Sequence, residues 1–198
     1  KDVPKNLDIK NCDIRMLHTW DESVVSIKDY DDTTGTIFLN HEAAHPSGAF
    51  ERHDFLFLNT KLGISEPGTW YYDKNEKIIY YHPEENETAE NITCFIPQSS
   101  GILRLENCKN ITIENLCLSL SNSESGKIAG LRAINPLGAM CFNKCENIFV
   151  KNCTVEYSGG QGIKFLQCKN ANVSGCLIEK CASCGIVCLE CENENINF

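Results

Sequence analysis

The chain has 198 residues, 42% hydrophobic and 23% charged, with a formal net charge of −9. That length accommodates one domain plus an insertion. The acidic balance offers no basic stripe to neutralise phosphates, which argues against nucleic acid. No apolar run approaches membrane-spanning length, so no membrane partner is expected; the absence of a signal peptide is uninformative in a chain that begins inside a coil.

In chain order, Asn6 to Met16 matches Asn110 to Leu120 position by position, so residues 1–16 read as one coil of the repeat that fills the second half. Residues 17–100 interrupt it and hold all five histidines, both tryptophans and five of the six tyrosines. His18, Trp20, Asp21 and Glu22 leave the coil at one corner, where Trp20 is suited either to stacking on a sugar ring or to anchoring the insertion. Val24–Ile27 and Thr36–Leu39 flank Asp31-Asp32-Thr33-Thr34-Gly35, a hairpin signal. His41-Glu42-Ala43-Ala44-His45 matches the zincin pattern, whose chemistry needs both histidines on one helical turn. Pro46-Ser47-Gly48 follows at once and stops a helix, and Glu51 stands where an extended motif wants histidine. No metal or other cofactor is therefore expected. Arg52, His53 and Asp54 read as a polar cluster or a solvated loop, and Phe55–Asn59 as the start of a short helix. Glu66-Pro67-Gly68 opens a second hairpin with strands Thr69–Asp73 and Lys77–His82. The insertion is thus a small β-rich subdomain.

From residue 101 a repeat takes over. Cys145-Glu146-Asn147, Cys168-Lys169-Asn170 and Cys191-Glu192-Asn193 are spaced by 23 residues, and Cys108-Lys109-Asn110 lies 37 before the first of them. A fixed period in the twenties marks a solenoid whose repeats bury apolar faces only against their neighbours. Around each Cys-x-Asn lie apolar pairs at i and i+2, such as Met140/Phe142, Ile148/Val150 and Cys153/Val155. That is the period of a half-buried strand, giving three short strands per coil with Gly or Asn at the corners. The fold class is all-β: a right-handed parallel β-helix over 101–198 and 1–16, with 17–100 inserted. Because the chain begins and ends inside a coil, it reads as a piece of a longer protein.

Eleven of the 13 cysteines lie between Cys108 and Cys191. A disulfide scaffold competes with a ladder of inward thiols acting as small hydrophobes. The odd total and the repeat logic favour reduced thiols, and hence a cytoplasmic or anaerobic extracellular setting. Cys181, Cys184, Cys188 and Cys191 depart from ferredoxin spacing, and the last two belong to the ladder. The sequons at Asn110, Asn152 and Asn172 fall on ladder strands rather than free loops. Ser158-Gly159-Gly160-Gln161-Gly162 reads as a bend demanding positive φ, not a phosphate loop.

A second excursion, Ser121 to Gly138, leaves after Leu120, the equivalent of Met16. The two excursions are expected to wall one flank, and long loops on a rigid scaffold are where function concentrates. The outward column at that corner is Arg15, Ser119, Glu156 and Glu179. Adjacent rungs lie about 4.8 Å apart, and two carboxylates that close are expected to separate into an acid and an ionised partner. Glu156 and Glu179 are therefore a candidate catalytic acid and nucleophile pair, against the plainer reading of a solvated column. Arg15, His18, Trp20, Asp21 and Arg132 are the candidate substrate-binding residues.

The repeat resembles the pectate-lyase-like superfamily of β-helix proteins over 101–198. The block Glu66-Pro67-Gly68-Thr69-Trp70-Tyr71-Tyr72-Asp73, then Ile79-Tyr80-Tyr81-His82-Pro83, resembles a segment of bacterial β-helix glycoside hydrolases of the α-1,3-galactosidase-like and β-xylosidase-like type. That resemblance implies an oligo- or polysaccharide partner and hydrolysis of a glycosidic bond; no family carboxylate is carried over by motif. The runner-up is a non-catalytic polysaccharide-binding or adhesion β-helix. A polysaccharide lyase ranks third, since Arg15 and Arg132 are the only obvious bases near the corner. Sugar, linkage, anomeric outcome and oligomeric state are not legible.

Overall fold

The computed structural model describes residues 3–51, 54–122, 127–129 and 137–197. Two compact units result, Lys1–Cys94 with Ser125–Ala133, and Phe95–Glu124 with Ile134–Phe198.

The first unit is antiparallel. Strand β1 (Asp13–Leu17) lies between β2 (Glu22–Asp31) and β4 (Phe55–Leu58). The far half of β2 folds back on β3 (Thr36–Leu39), the predicted hairpin. Alternation along β1 and β2 turns Cys12, Ile14, Met16, Val25 and Ile27 into a small core. A second hairpin, β5 (Trp70–Asp73) and β6 (Ile78–Tyr81), pairs Trp70 with Tyr81 and Asp73 with Ile78. Two readings are corrected here. Residues 1–16 do not form a parallel coil; their one strand is antiparallel to both partners. The in/out alternation shared with Asn110–Leu120 marks any half-buried strand and does not specify the partner. Phe55–Leu58 is a strand rather than a helix, because pairing with β1 satisfies its backbone.

The second unit is built of coils. The first holds β7 (Leu103–Glu106), β8 (Lys109–Glu114) and β9 (Cys117–Ser121). The chain then adds β10 (Lys127–Ala129) antiparallel to β2 in the first unit. It resumes the coils with β11 (Gly138–Asn143), β12 (Glu146–Lys151) and β13 (Thr154–Ser158). The next coil is β14 (Gln161–Leu166), β15 (Lys169–Ser174) and β16 (Leu177–Glu179), followed by β17 (Ile186–Leu189) and β18 (Asn195–Asn197). Equivalent strands stack in three parallel sheets, β7-β11-β14-β17, β8-β12-β15-β18 and β9-β13-β16. Register follows the repeat, with Leu103, Met140, Ile163 and Ile186 in one column.

The inward column positions fill the core. Met140, Ile148, Val150, Val155, Ile163, Phe165 and Cys168 are fully buried, and Phe142 stacks on Phe165 at 4.8 Å between ring centroids. Cys145, Cys153 and Cys168 sit in this core, each thiol donating to the carbonyl two residues back. All 13 cysteines are free thiols. Cys188 occupies the column of Phe165 but lies on the last rung, where no further coil covers it.

The corners repeat as well. Asn110, Asn147, Asn170 and Asn193 all have φ between 54° and 61°. Asparagine tolerates this left-handed conformation better than most residues. Each side chain also donates to the one before it, Asn147 Nδ2 to Asn110 Oδ1 at 2.8 Å and Asn170 to Asn147 at 2.9 Å. The Asn of the repeat is thus a conformational choice and a rung-to-rung tie. The expected positive φ in Ser158–Gly162 falls instead on Tyr157, at 50°. Gly162 serves another need, close approach to the Gly185 carbonyl of the next coil.

Candidate functional site

Strands β9, β13 and β16 place Ser119, Glu156 and Glu179 opposite one another in parallel register. The two glutamates are therefore rung neighbours, both half-buried. The residue after each of these three positions, Leu120, Tyr157 and Lys180, is held at φ 65°, 50° and 52°. The same left-handed turn stacks at other corners, as at Asn107, Lys144, Gln167 and Glu190, so it belongs to the corner geometry of the coils. Lys180 Nζ donates to Tyr157 Oη at 2.8 Å, lies 4.5 Å from the centroid of that ring, and is 3.7 Å from the Glu179 carboxylate. The bond to Tyr157, with smaller attractions from Glu179 and Glu156, holds Lys180 above the ordinary lysine range. The corner thus carries two carboxylates, a phenol and a firmly protonated amine. Tyr157 and Lys180 were not singled out from the sequence, although the step of 23 that pairs the glutamates pairs them too.

The other candidates lie in the first unit. Arg15 is not a rung of the glutamate column; it sits in β1 opposite Val24 and Leu56 and donates to Glu22 at 2.7 Å. Arg132 lies outside the described residues, as do Arg52 and His53. His18, Trp20 and Asp21 do come together, around His45. The His45 ring is edge-on to His18 at 5.2 Å and to Trp20 at 5.9 Å, and its Nε2 is 3.5 Å from Asp21 Oδ2. His18 is buried, with Nε2 3.0 Å from Ser23 Oγ, which also accepts the Ala44 N–H. These contacts tie the 41–47 loop to the start of β2, so His18 and Asp21 act as anchors while Trp20 stays 58% exposed. No helix runs through His41–His45. Among the described residues no group of three or more His, Cys, Asp or Glu is placed to hold a metal. Beside this cluster a cavity of about 640 Å³ is lined by Ile14, Met16, Ile37, Leu39 and Phe55, with Glu42, His45 and Ser47 as polar groups.

Among known families, the model described as "Right handed beta helix region" matches residues 95–197. The chain belongs to that family. Its coils are therefore right-handed, and the matched span holds all three parallel sheets together with Glu156 and Glu179. No curated protein and no solved structure matched the chain. Among the described residues no helix is long and apolar enough to cross a membrane. Membership of the right-handed β-helix family is compatible with carbohydrate-active proteins and leaves the chemistry to the site.

Proposed function

We propose that this β-helix acts on an oligo- or polysaccharide and hydrolyses a glycosidic bond with Glu156 and Glu179. The observation that carries the reading is their parallel register on β13 and β16. Rungs about 4.8 Å apart put the carboxyl groups near the separation of about 5–5.5 Å that suits a retaining mechanism. Lys180 Nζ lies 3.7 Å from the Glu179 carboxylate, and we assign Glu179 as the nucleophile and Glu156 as the acid/base. Glu156 then donates its proton to the leaving oxygen as Glu179 attacks the anomeric carbon. In the second step Glu156 takes a proton from the water that releases the sugar. The αL corner at Tyr157 and Lys180 fixes the geometry on which both steps depend.

The test is turnover of a panel of aryl glycosides and oligosaccharides by the full chain and by Glu156→Gln and Glu179→Gln. Each variant is expected to lose about 10²-fold or more in kcat/KM. Glu156→Gln should recover on dinitrophenyl glycosides, which need no acid, and Glu179→Gln should not. Full turnover in both variants overturns the assignment. A non-catalytic glycan-binding role is the second reading. It is favoured by Trp70, which stands 62% exposed on a tyrosine-rich hairpin.

A further inference from the structure

The β5–β6 hairpin turns one large aromatic side chain, Trp70, to solvent at its open end. Tyr71, Tyr80, Asp73 and Ile78 share a face by register. On it Tyr71 is buried and donates to Asp8 at 2.9 Å, while Lys61 lies over the Tyr71 and Tyr80 rings. The other face carries Trp70 opposite Tyr81 and Tyr72 opposite Ile79. At its open end Trp70 is 62% exposed. An indole turned to solvent beside a tyrosine is a flat surface for the C–H face of a sugar ring.

The acidic side chains gather around that end, with His82, tied through its backbone to Gly68 and Thr69, as a basic neighbour. Glu84 lies over Gly68, two residues before Trp70, with Oε1 3.0 Å from where a Cβ would sit. Glu87 accepts from the Tyr81 hydroxyl and from the Glu84 N–H. These two bonds hold its carboxyl below the ordinary glutamate range, so it stays charged. No Lys or Arg occurs in 62–73 or 78–103, whereas Glu66, Glu84, Glu85 and Glu87 do. Of the lysines before and in the turn, Lys61 pairs with Asp73 and Lys74 with Asp13, while Lys77 lies at the turn, the opposite end from the Trp70–Tyr81 pair.

We infer that the Trp70–Tyr81 end of this hairpin is a docking platform for a glycan that carries protonated amino groups, a hexosamine chain. The inference rests on the carbohydrate reading above and names the class of sugar. A pyranose stacks its C–H face on Trp70, and its ammonium group meets the carboxylates of Glu84 beside Gly68 and Glu87 beside Tyr81, which a neutral sugar does not exploit. A uronic-acid polymer meets repulsion at the same carboxylates. A basic peptide satisfies the charge but not the flat stacking surface.

The experiment follows tryptophan emission of the full chain at pH 5.5 on titration with a β-linked glucosamine hexamer. Its N-acetylated counterpart, oligogalacturonate and hexalysine are run in parallel. The glucosamine hexamer should bind at least tenfold more tightly than the acetylated one, oligogalacturonate should not bind, and hexalysine should bind more weakly. Trp70→Ala should weaken glucosamine binding at least tenfold. Glu84→Gln should weaken it several-fold, with the melting curve of each variant checked against the parent. Equal affinity for the acetylated hexamer, equal or tighter binding of hexalysine, indifference to Trp70→Ala, or no binding overturns the inference. Glu156→Gln and Glu179→Gln should leave this binding unchanged. Binding without hydrolysis then removes only the catalytic reading, and hydrolysis without amine-selective binding removes only this one.

Discussion

Replacing Gly162 by alanine tests the close stacking of the coils. A Cβ there would sit 2.5 Å from the Gly185 carbonyl oxygen, 2.6 Å from Ile178 Cγ2 and 3.2 Å from Cys181 Sγ. Ile178 can rotate away, but the carbonyl is backbone and accepts the Ile163 N–H at 2.8 Å. An ordinary C···O contact needs about 3.3 Å, so β14 and the next coil must separate by about 0.8 Å. Overpacking of this kind costs about 1–3 kcal/mol, and weakening the Ile163 bond adds about 1 kcal/mol. The expected loss is therefore about 2–4 kcal/mol. Gly185→Ala is the control, since among the described residues its Cβ would meet Ile178 Cγ2 at an ordinary 3.5 Å. That change should be neutral within about 0.5 kcal/mol or slightly stabilising. Urea unfolding is followed by far-UV dichroism, which reports the strands of both units. Trp20 and Trp70 both belong to the first unit, so their emission reports that unit separately. A Gly162→Ala midpoint within about 0.5 kcal/mol of wild type at unchanged slope would refute the packing argument.

Two further outcomes follow from the coils. Asn147→Ala loses two exposed side-chain hydrogen bonds and the better tolerance of asparagine for φ 55°, for an expected cost of about 1–2 kcal/mol. Asn147→Gly loses only the bonds and some chain entropy, so it should be milder by about 1 kcal/mol; urea midpoints that rank glycine at or below alanine would contradict the conformational role. Burial is the main reason the thiols of Cys12 and Cys168 are pushed up to about 11 from an ordinary value of 9.0. The unfolded chain therefore ionises first, and stability that is complete below pH 9 should fall as pH rises from about 9 to 11. Urea midpoints at pH 8, 9.5 and 10.5 check this, and a flat profile would show that the buried thiols do not contribute.

How much of the candidate site was legible depends on where its residues sit. Glu156 and Glu179 were paired from a step of 23, and the structure sets them in register. Tyr157 and Lys180 obey the same step, yet what marks them is the hydrogen bond from Lys180 Nζ to Tyr157 Oη, a side-chain contact that only the fold shows. The His18–His45 contact joins residues 27 apart in sequence across a loop, so it needed the fold.

The sequence by itself determined the coils, their period, their inward columns and their corner asparagines. In a solenoid each repeat touches only its neighbours, so equivalence along the chain becomes contact in space. The tertiary structure alone decided how the first unit is assembled: β1 between β2 and β4, and β10 drawn from the second excursion onto β2. It also decided that Gly162 is needed for close approach rather than for φ, and that Trp70 faces solvent while Tyr71 is buried. Alternation of apolar residues says that a strand has a face to bury. The backbone N–H and C=O groups along its edges are the same for every sequence, so the choice of partner is left to packing.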